Sequence, residues 1–449
     1  MALFFLGGNK MSKLSFKELI SVGFMVFSIF FGAGNLIFPP LLAQDAGTNF
    51  LVAMGGFFVT GIGLPLLGLI ALVSVGGKYE ELVAKRLHPW FLVVTFSLLY
   101  LVIGPFFAVP RTGAVSFEIG IRPFLAVDDL QVGQFIYTAI FFAVTYFFAA
   151  NPSRLVDRVG KILCPVMLFF LCILFVRTFY GPIGNILPPV NEYVDNPFST
   201  GFVNGYQTMD MLASLAIGGL AITAVKEKGI TEIGAIRSVC IKACVVAILL
   251  MAMVYGSLAY LGATCPAVLG YSANGGIILS SAAYVFFGDA GKIILAVIIG
   301  FACLTTSIGI SAASAGYFQY LLGGRVGYRT ILAGSMVFTF LAANLGLTEL
   351  IRISVPFLVA LYPVFIVLVL LSLFDRVIGR CKYIYWWSVG LTVPISLLDG
   401  LQTAGIGLDG LQELLKVWLP LYGINMGWLL PALVGIPLGL LHGMLKRDN

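Results

Sequence analysis

The chain has 449 residues, of which 60% are hydrophobic and only 10% charged. Soluble domains carry about 25% charged residues, so this balance excludes an ordinary water-soluble fold. The formal net charge is +6, and the placement of the basic residues explains it without a nucleic-acid partner. Aromatics make up 13% but do not follow the roughly ten-residue alternation of an outer-membrane barrel. Apolar stretches long enough for a hydrocarbon core of about 30 Å recur along the whole length. The expected fold class is an all-α polytopic membrane protein.

Twelve spans are expected, at about 17–42, 50–75, 90–112, 131–149, 160–180, 203–225, 238–261, 291–321, 329–345, 350–374, 383–400 and 417–442. Their connections alternate sides. Arg111, Arg122, Arg177, Lys292, Arg352 and Lys416 fall on one side, and the other twenty of the 26 Lys and Arg fall on the opposite side. Such a bias marks the cytoplasmic face, which puts both termini in the cytoplasm. The run YIYWW, residues 383–387, suits an interfacial anchor. Seven cysteines form no CxxC pair, so neither a zinc site nor a disulfide framework is expected. No A-x-A-like site follows the first apolar stretch, which argues against a cleaved signal. The chain reads as a single domain without a long linker.

Three of the spans carry chemistry. The first contains FFGAGNLIFPP, residues 30–40. Glycine costs about 1 kcal/mol relative to alanine in a helix interior, and proline leaves backbone groups that need other partners. A break at Gly32–Asn35 exposes carbonyls and amides at membrane depth, suited to a small polar solute. The alternative is that Gly32 and Gly34 merely permit close helix packing. The sixth span, residues 204–229, is also interrupted, with Asp210 as an intramembrane acid and Ser214, Gly218 and Gly219 near its middle. Five spans separate the two interruptions. An odd number inverts the second copy in the membrane, as in transporters built from inverted repeats. In the eighth span, Thr305, Thr306 and Ser307 place adjacent hydroxyls in an apolar helix. They either bond back to their own backbone or offer neutral oxygens to Na⁺ opposite the broken first span.

Asp210 is by default functional, because an ionisable group inside a span is expensive. It could carry a coupling proton, gate the outer pathway or cap the unwound segment; capping or gating fits its outer position better. Arg111 and Glu118 flank the outer end of the third span and form either an extracellular gate or a plain ion pair, of which the ion pair is the favoured expectation. His88 and His442 read as solvated residues at cytoplasmic helix ends.

GFMVFSIFFGAGNLIFPP (residues 23–40), GPFFAVPRTGAVSFEIG (residues 104–120) and GYQTMDMLASLAIGG (residues 205–219) together resemble the branched-chain amino acid:cation symporter family. The resemblance covers nearly the whole chain. It implies uptake of leucine, isoleucine and valine across the bacterial inner membrane with Na⁺, or with H⁺ in some members. It also implies a place in the amino acid–polyamine–organocation superfamily, with five-plus-five inverted repeats. The first repeat then runs over about 17–180, the second over about 203–374, and two extra helices follow over about 383–442.

ACLTTSI, residues 302–308, is similar to the eighth-helix run of the sodium-coupled leucine transporter fold. That likeness implies a Na⁺ site made of the Ser28, Phe31 and Ala302 carbonyls with the Thr305 and Thr306 hydroxyls. It implies a substrate site at Gly32, Ala33, Gly34 and Asn35, with Leu215, Ala216, Ile217 and Gly218 opposite. The fold's second sodium site needs a sixth-helix threonine. Here that place falls on Met211 or Ala213, which carry no side-chain oxygen, so Asn35 is either a ligand or a clamp on the broken backbone. An intramembrane enzyme is disfavoured, because no paired acids, Ser–His pair or metal cluster falls at membrane depth. Neither a channel filter loop nor GxxxxGK[ST] occurs, so a channel and ATP-driven transport are disfavoured too.

Overall fold

The computed structural model describes residues 15–447, apart from 78, 151–154, 376, 380 and 407–408. Lys10, Lys13, Lys78, Arg154, Arg376 and Arg380 therefore lie outside the described residues. Every regular element among the described residues is helical. The first expected span is two helices, α1 (Phe16–Phe30) and α2 (Ala33–Ala46), with Phe31 and Gly32 extended between them. The second is α3 (Phe50–Phe58) and α4 (Leu64–Ser74), joined by a wide helical turn at Val59–Gly63. A short α5 (Tyr79–Ala84) leads to the third span, α6 (Pro89–Leu101) and α7 (Ala108–Gly120). Gly104, with ψ −116°, breaks the helix between them just before Pro105.

The fourth and fifth spans are α8 (Leu130–Ala149) and α9 (Leu155–Tyr180). The sixth is α10 (Pro197–Asn204), α11 (Asp210–Ile217) and α12 (Gly219–Glu227). The seventh is α13 (Ile233–Thr264), followed by the single turn α14 (Pro266–Leu269). The long α15 (Gly275–Leu321) changes direction at Gly288, whose φ of 61° is open to glycine at little cost. Its first arm precedes the expected eighth span. Then come α16 (Tyr328–Ala343), α17 (Leu347–Leu373), α18 (Lys382–Thr403), the short α19 (Asp409–Trp418) and α20 (Leu429–Arg447).

The last span begins at Leu429 rather than near 417. Pro420 and the left-handed residues Leu421 and Asn425 separate it from the short α19. Seven of the described helical runs are long and apolar enough to cross a membrane by themselves, and the bent sixth span makes eight. The chain is a multi-pass membrane protein.

α2 lies at the centre of the bundle, packed on α3, α13 and α15. All its residues except Leu41 and Asp45 are buried, as expected of a helix that is apolar all round. The seventh span approaches it flush: a Cβ on Gly262 would lie 2.1 Å from the Pro40 carbonyl oxygen. Only glycine fits there. Outer helices instead expose large apolar side chains, among them Phe135, Ile140 and Phe147 on α8.

One ion pair ties the bundle to the last helices. Arg86 forks onto Asp375, with Nε to Oδ1 at 3.0 Å and Nη2 to Oδ2 at 2.9 Å. The Tyr385 hydroxyl donates to the same Oδ1 at 3.1 Å, and Trp386 Nε1 donates to the Arg86 carbonyl at 2.9 Å. Hydrogen bonds to charged groups are worth roughly 1.5–3 kcal/mol. Asp375→Ala should therefore cost about 2–3 kcal/mol, visible as a lower midpoint of thermal unfolding in detergent. An unchanged midpoint would show that the fork adds nothing.

Candidate functional site

At the first break, the ladder of α1 ends where the Phe31 N–H donates to the Phe27 carbonyl at 2.8 Å. The next donor, the Gly32 N–H, would close onto the Ser28 carbonyl in a continuing helix. It donates instead to Asn35 Oδ1 at 3.1 Å, so the Ser28 carbonyl is without its helical partner. Farther along, Pro39 and Pro40 have no N–H for the carbonyls of Asn35 and Leu36. The break thus concentrates unpaired carbonyls deep in the bundle, which is tolerated only where protein or a polar cavity receives them.

Asn35 is the clamp. Its amide nitrogen donates to Asp210 Oδ2 and to the Tyr255 hydroxyl, and the Tyr255 hydroxyl reaches the same Asp210 oxygen at 3.4 Å. Asn35, Asp210 and Tyr255 are 1%, 4% and 0% exposed. One side chain therefore joins the breaks of the first and sixth spans and the middle of the seventh. Nothing in the sequence pointed to Tyr255, one of two tyrosines in a largely apolar helix.

The sixth span unwinds earlier than expected. Gly205–Thr208 is a tight helical turn, Met209 adopts the left-handed conformation (φ 59°, ψ 11°), and Asp210 opens α11. Residues 210–217 stay helical, and Gly218 marks a bend of 52° into α12. Positive φ is uncommon at a non-glycine residue. Methionine gives no sign of it, which is why Gly218 drew attention instead.

The two breaks and two further spans enclose a central cavity of about 40 Å³. Of the residues singled out in the sequence, Gly32, Ala33, Gly34, Asn35, Asp210, Ile217 and Thr306 line it. Leu215, Ala216 and Gly218 do not; Thr208, Met209 and Ala213 take their places. The third span contributes Ile103, Ala108, Arg111 and Thr112, and the eighth adds Ile310. This space holds a water or two and is too small for an aliphatic amino acid. Gly34 sits against the sixth-span break: a Cβ there would meet Phe38 Cε2 at 3.3 Å and Thr208 Cα at 3.4 Å.

The three hydroxyls of the eighth span point in three directions. Thr305 donates to the Ala302 carbonyl at 2.9 Å, the backbone bond expected of an isolated threonine. Ser307 faces Thr145 at 3.2 Å. Thr306 faces the first break, where a Cβ on Gly32 would lie 3.4 Å from its Cγ2 and 3.5 Å from its Oγ1. The oxygens here are neutral hydroxyls and carbonyls, the donor set that suits a hard monovalent cation. Among the described residues no cluster of three His, Cys, Asp or Glu could hold a metal.

The expected Arg111–Glu118 ion pair does not form. Seven residues along one helix is about 10.5 Å of rise. Glu118 pairs instead with Arg122 one turn on and accepts from Asn274 Nδ2 at 3.1 Å. Asn274 in turn caps α15 through the Ile277 N–H at 3.1 Å. Arg111, 3% exposed, turns inward. Its Nη1 donates to the Gln207 carbonyl and its Nη2 to Ser354 Oγ, the latter at 2.8 Å. The guanidinium carbon lies 5.0 Å from the centre of the Phe38 ring. Phe38 also lines a second cavity of about 270 Å³, between the end of α2, residues 191–193 and α10. His88 is exposed and accepts from the Trp90 N–H at 3.2 Å. His442 is half-buried, stacked on Tyr383 and bonded to Trp387 Nε1 at 3.2 Å.

Two broken spans around one cavity, inside an all-helical bundle, define the five-plus-five inverted-repeat, leucine-transporter-like fold with two extra helices. Among solved structures, Mhp1, a nucleobase-cation-symport-1 family transporter, superimposes in its closed, bromovinylhydantoin-bound conformation with a TM-score of 0.63. The identity is 13%, and the match covers 95% of this chain and 93% of Mhp1. The inward-facing conformation of Mhp1 scores 0.54 at the same identity, covering 95% of this chain and 91% of that one.

Sequence comparison is more specific. The branched-chain amino acid permease BraB of Bacillus subtilis is 43% identical over 426 residues, 95% of each chain. The branched-chain amino acid transport system 2 carrier protein of Pseudomonas aeruginosa is 40% identical over 431 residues, 95% of this chain and 96% of that one. Residues 15–446 match the model of the branched-chain amino acid transport protein family. The chain belongs to that family; it is a transporter, not an enzyme.

Proposed function

We propose that this chain is a symporter that carries leucine, isoleucine and valine into the bacterial cell together with Na⁺, by alternating access. It sits in the inner membrane, surrounded by lipid, with both termini in the cytoplasm as the basic connections imply. The relatives' names and the lining of the central cavity support the substrate class. Ile103, Ala213, Ile217 and Ile310 give it apolar walls, and the start of α2 offers N–H groups to a carboxylate. Leucine and valine differ by one methylene, which an apolar pocket separates by only about 1–3 kcal/mol. One carrier accepts all three.

The observation that carries the Na⁺ reading is Thr306 against the first break, beside a Ser28 carbonyl whose helical N–H has turned to Asn35. The Ser28, Phe31 and Ala302 carbonyls and the Thr305 and Thr306 hydroxyls then form the ion's ligand set. Thr305 keeps lone pairs free while its proton binds Ala302. Closure by Phe38 and Arg111 between the two cavities, followed by opening on the cytoplasmic side, moves both solutes. A second reading, H⁺ coupling, draws on Asp210, the buried acid at the centre of the site.

Leucine uptake into proteoliposomes separates the two. An inward Na⁺ gradient should raise uptake about 10-fold or more, the equivalent of ~1.4 kcal/mol, and Thr305→Ala should remove that gain. Uptake driven by a pH gradient alone and indifferent to the threonine would replace Na⁺ by H⁺.

A further inference from the structure

We infer that Arg111 is the side chain that receives the carboxylate of the transported amino acid. The inference rests on the branched-chain reading of the central cavity and adds to it a fixed cation that reads one end of the substrate.

Four observations carry it. Arg111 lines the cavity between the two breaks, and it is buried at 3% exposure. Among the described residues no carboxylate lies within 4 Å of it; its partners are the Gln207 carbonyl and the Ser354 hydroxyl, both neutral. Its Nε is buried without any partner. A guanidinium has five N–H donors, so most of this fork is unused. A buried cation with neutral partners is costly, and its retention at this place calls for an anion that arrives from outside.

The position suits a carboxylate. The Gln207 carbonyl that accepts from Arg111 lies 3.5 Å from where a Gly34 Cβ would stand. The fork therefore sits one carbonyl away from the N-terminal turn of α2, and the two can converge on one anion. Side-on pairing through Nε–H and an Nη N–H is the geometry in which arginine binds carboxylates most strongly. Phe38, whose ring centre lies 5.0 Å from the guanidinium carbon and which also lines the larger cavity, would close over an amino acid held there.

The test compares ligands that differ only at the carboxylate. Displacement of labelled leucine from the purified full-length protein is measured with leucine and with leucinamide, for wild type, Arg111→Gln and Arg111→Lys. The wild type should prefer leucine about 100-fold, as charge-assisted bidentate bonds imply. In Arg111→Gln the leucine affinity should fall about 30-fold while leucinamide changes by less than about 3-fold, so the preference collapses. Arg111→Lys keeps the charge but loses the fork, and its preference should drop to about 10-fold. A preference that stays near 100-fold in the Gln variant would make Arg111 a mere prop for Gln207 and overturn the inference. If the Gln variant does not fold, the Lys variant decides on the same ratio: near 10-fold supports the inference and near 100-fold overturns it. A wild type that binds no leucine would overturn the branched-chain reading, and this inference with it.

Discussion

Asn35→Ala is expected to abolish leucine uptake, by at least about 100-fold, a loss equivalent to ~2.7 kcal/mol. The side chain accepts from the Gly32 N–H and donates to Asp210 and Tyr255, and all three partners are buried. Each buried group left without a partner costs roughly 1–3 kcal/mol. With Gly32 and Asp210 both affected, the folded state should lose about 3–5 kcal/mol, and the broken first span loses the bond that fixes it. Asn35→Asp keeps an acceptor for the Gly32 N–H but sets a second carboxyl against Asp210, which disfavours two charges at one site. It should be as inactive as the alanine variant. Tyr255→Phe removes a single arm of the network and should cost only about 1 kcal/mol. Initial rates of labelled-leucine uptake and thermal unfolding in detergent check the series. Full transport by Asn35→Ala would show that the break holds without its clamp.

Much of this site was legible because helix breakers and misplaced hydroxyls are chemical signals that need no tertiary context. Gly32, Gly34 and the two prolines announced the first break, and adjacent hydroxyls drew attention to Thr305, Thr306 and Ser307. The sixth span resisted for a physical reason. Its left-handed residue is Met209, which lies between Tyr206, stacked on Tyr362 at 4.4 Å, and Asp210, bonded to Asn35. Glycines at 218 and 219 drew the expected break toward a place where the chain only bends. The partner of Arg111 was equally hidden. A buried arginine and a nearby acid on one helix suggest an ion pair, but helical rise separates Arg111 from Glu118 and hands Glu118 to Arg122. The long α15 hid a change of direction at Gly288 behind continuous hydropathy. The last span started late because Leu421 and Asn425 adopt left-handed backbone that apolar composition does not reveal.

The Na⁺ proposal has its sharpest consequence at Thr306. Thr306→Val nearly preserves shape and removes the oxygen that faces Gly32. If that oxygen ligates Na⁺, the concentration giving half-maximal leucine uptake should rise about 30- to 100-fold, roughly 2–2.7 kcal/mol of ion binding. Maximal uptake at saturating Na⁺ should change far less, because the substrate walls are intact. Thr306→Ser restores the hydroxyl and should return the Na⁺ response to within about 3-fold of wild type. Ser307→Ala is the internal control: its hydroxyl faces Thr145 across the other side of the helix, so the Na⁺ response should not move. The pattern across the three variants matters more than any one of them. Loss of packing would fall on Ser, which lacks the methyl, rather than on Val and would lower maximal uptake, whereas loss of a ligand falls on Val and acts on Na⁺ alone. A Na⁺ response unchanged in the Val variant would remove the ion from this face of α15. Of the two ionisable side chains that line the cavity, Asp210 would then be the one able to couple transport to a proton, with Arg111 left to the substrate.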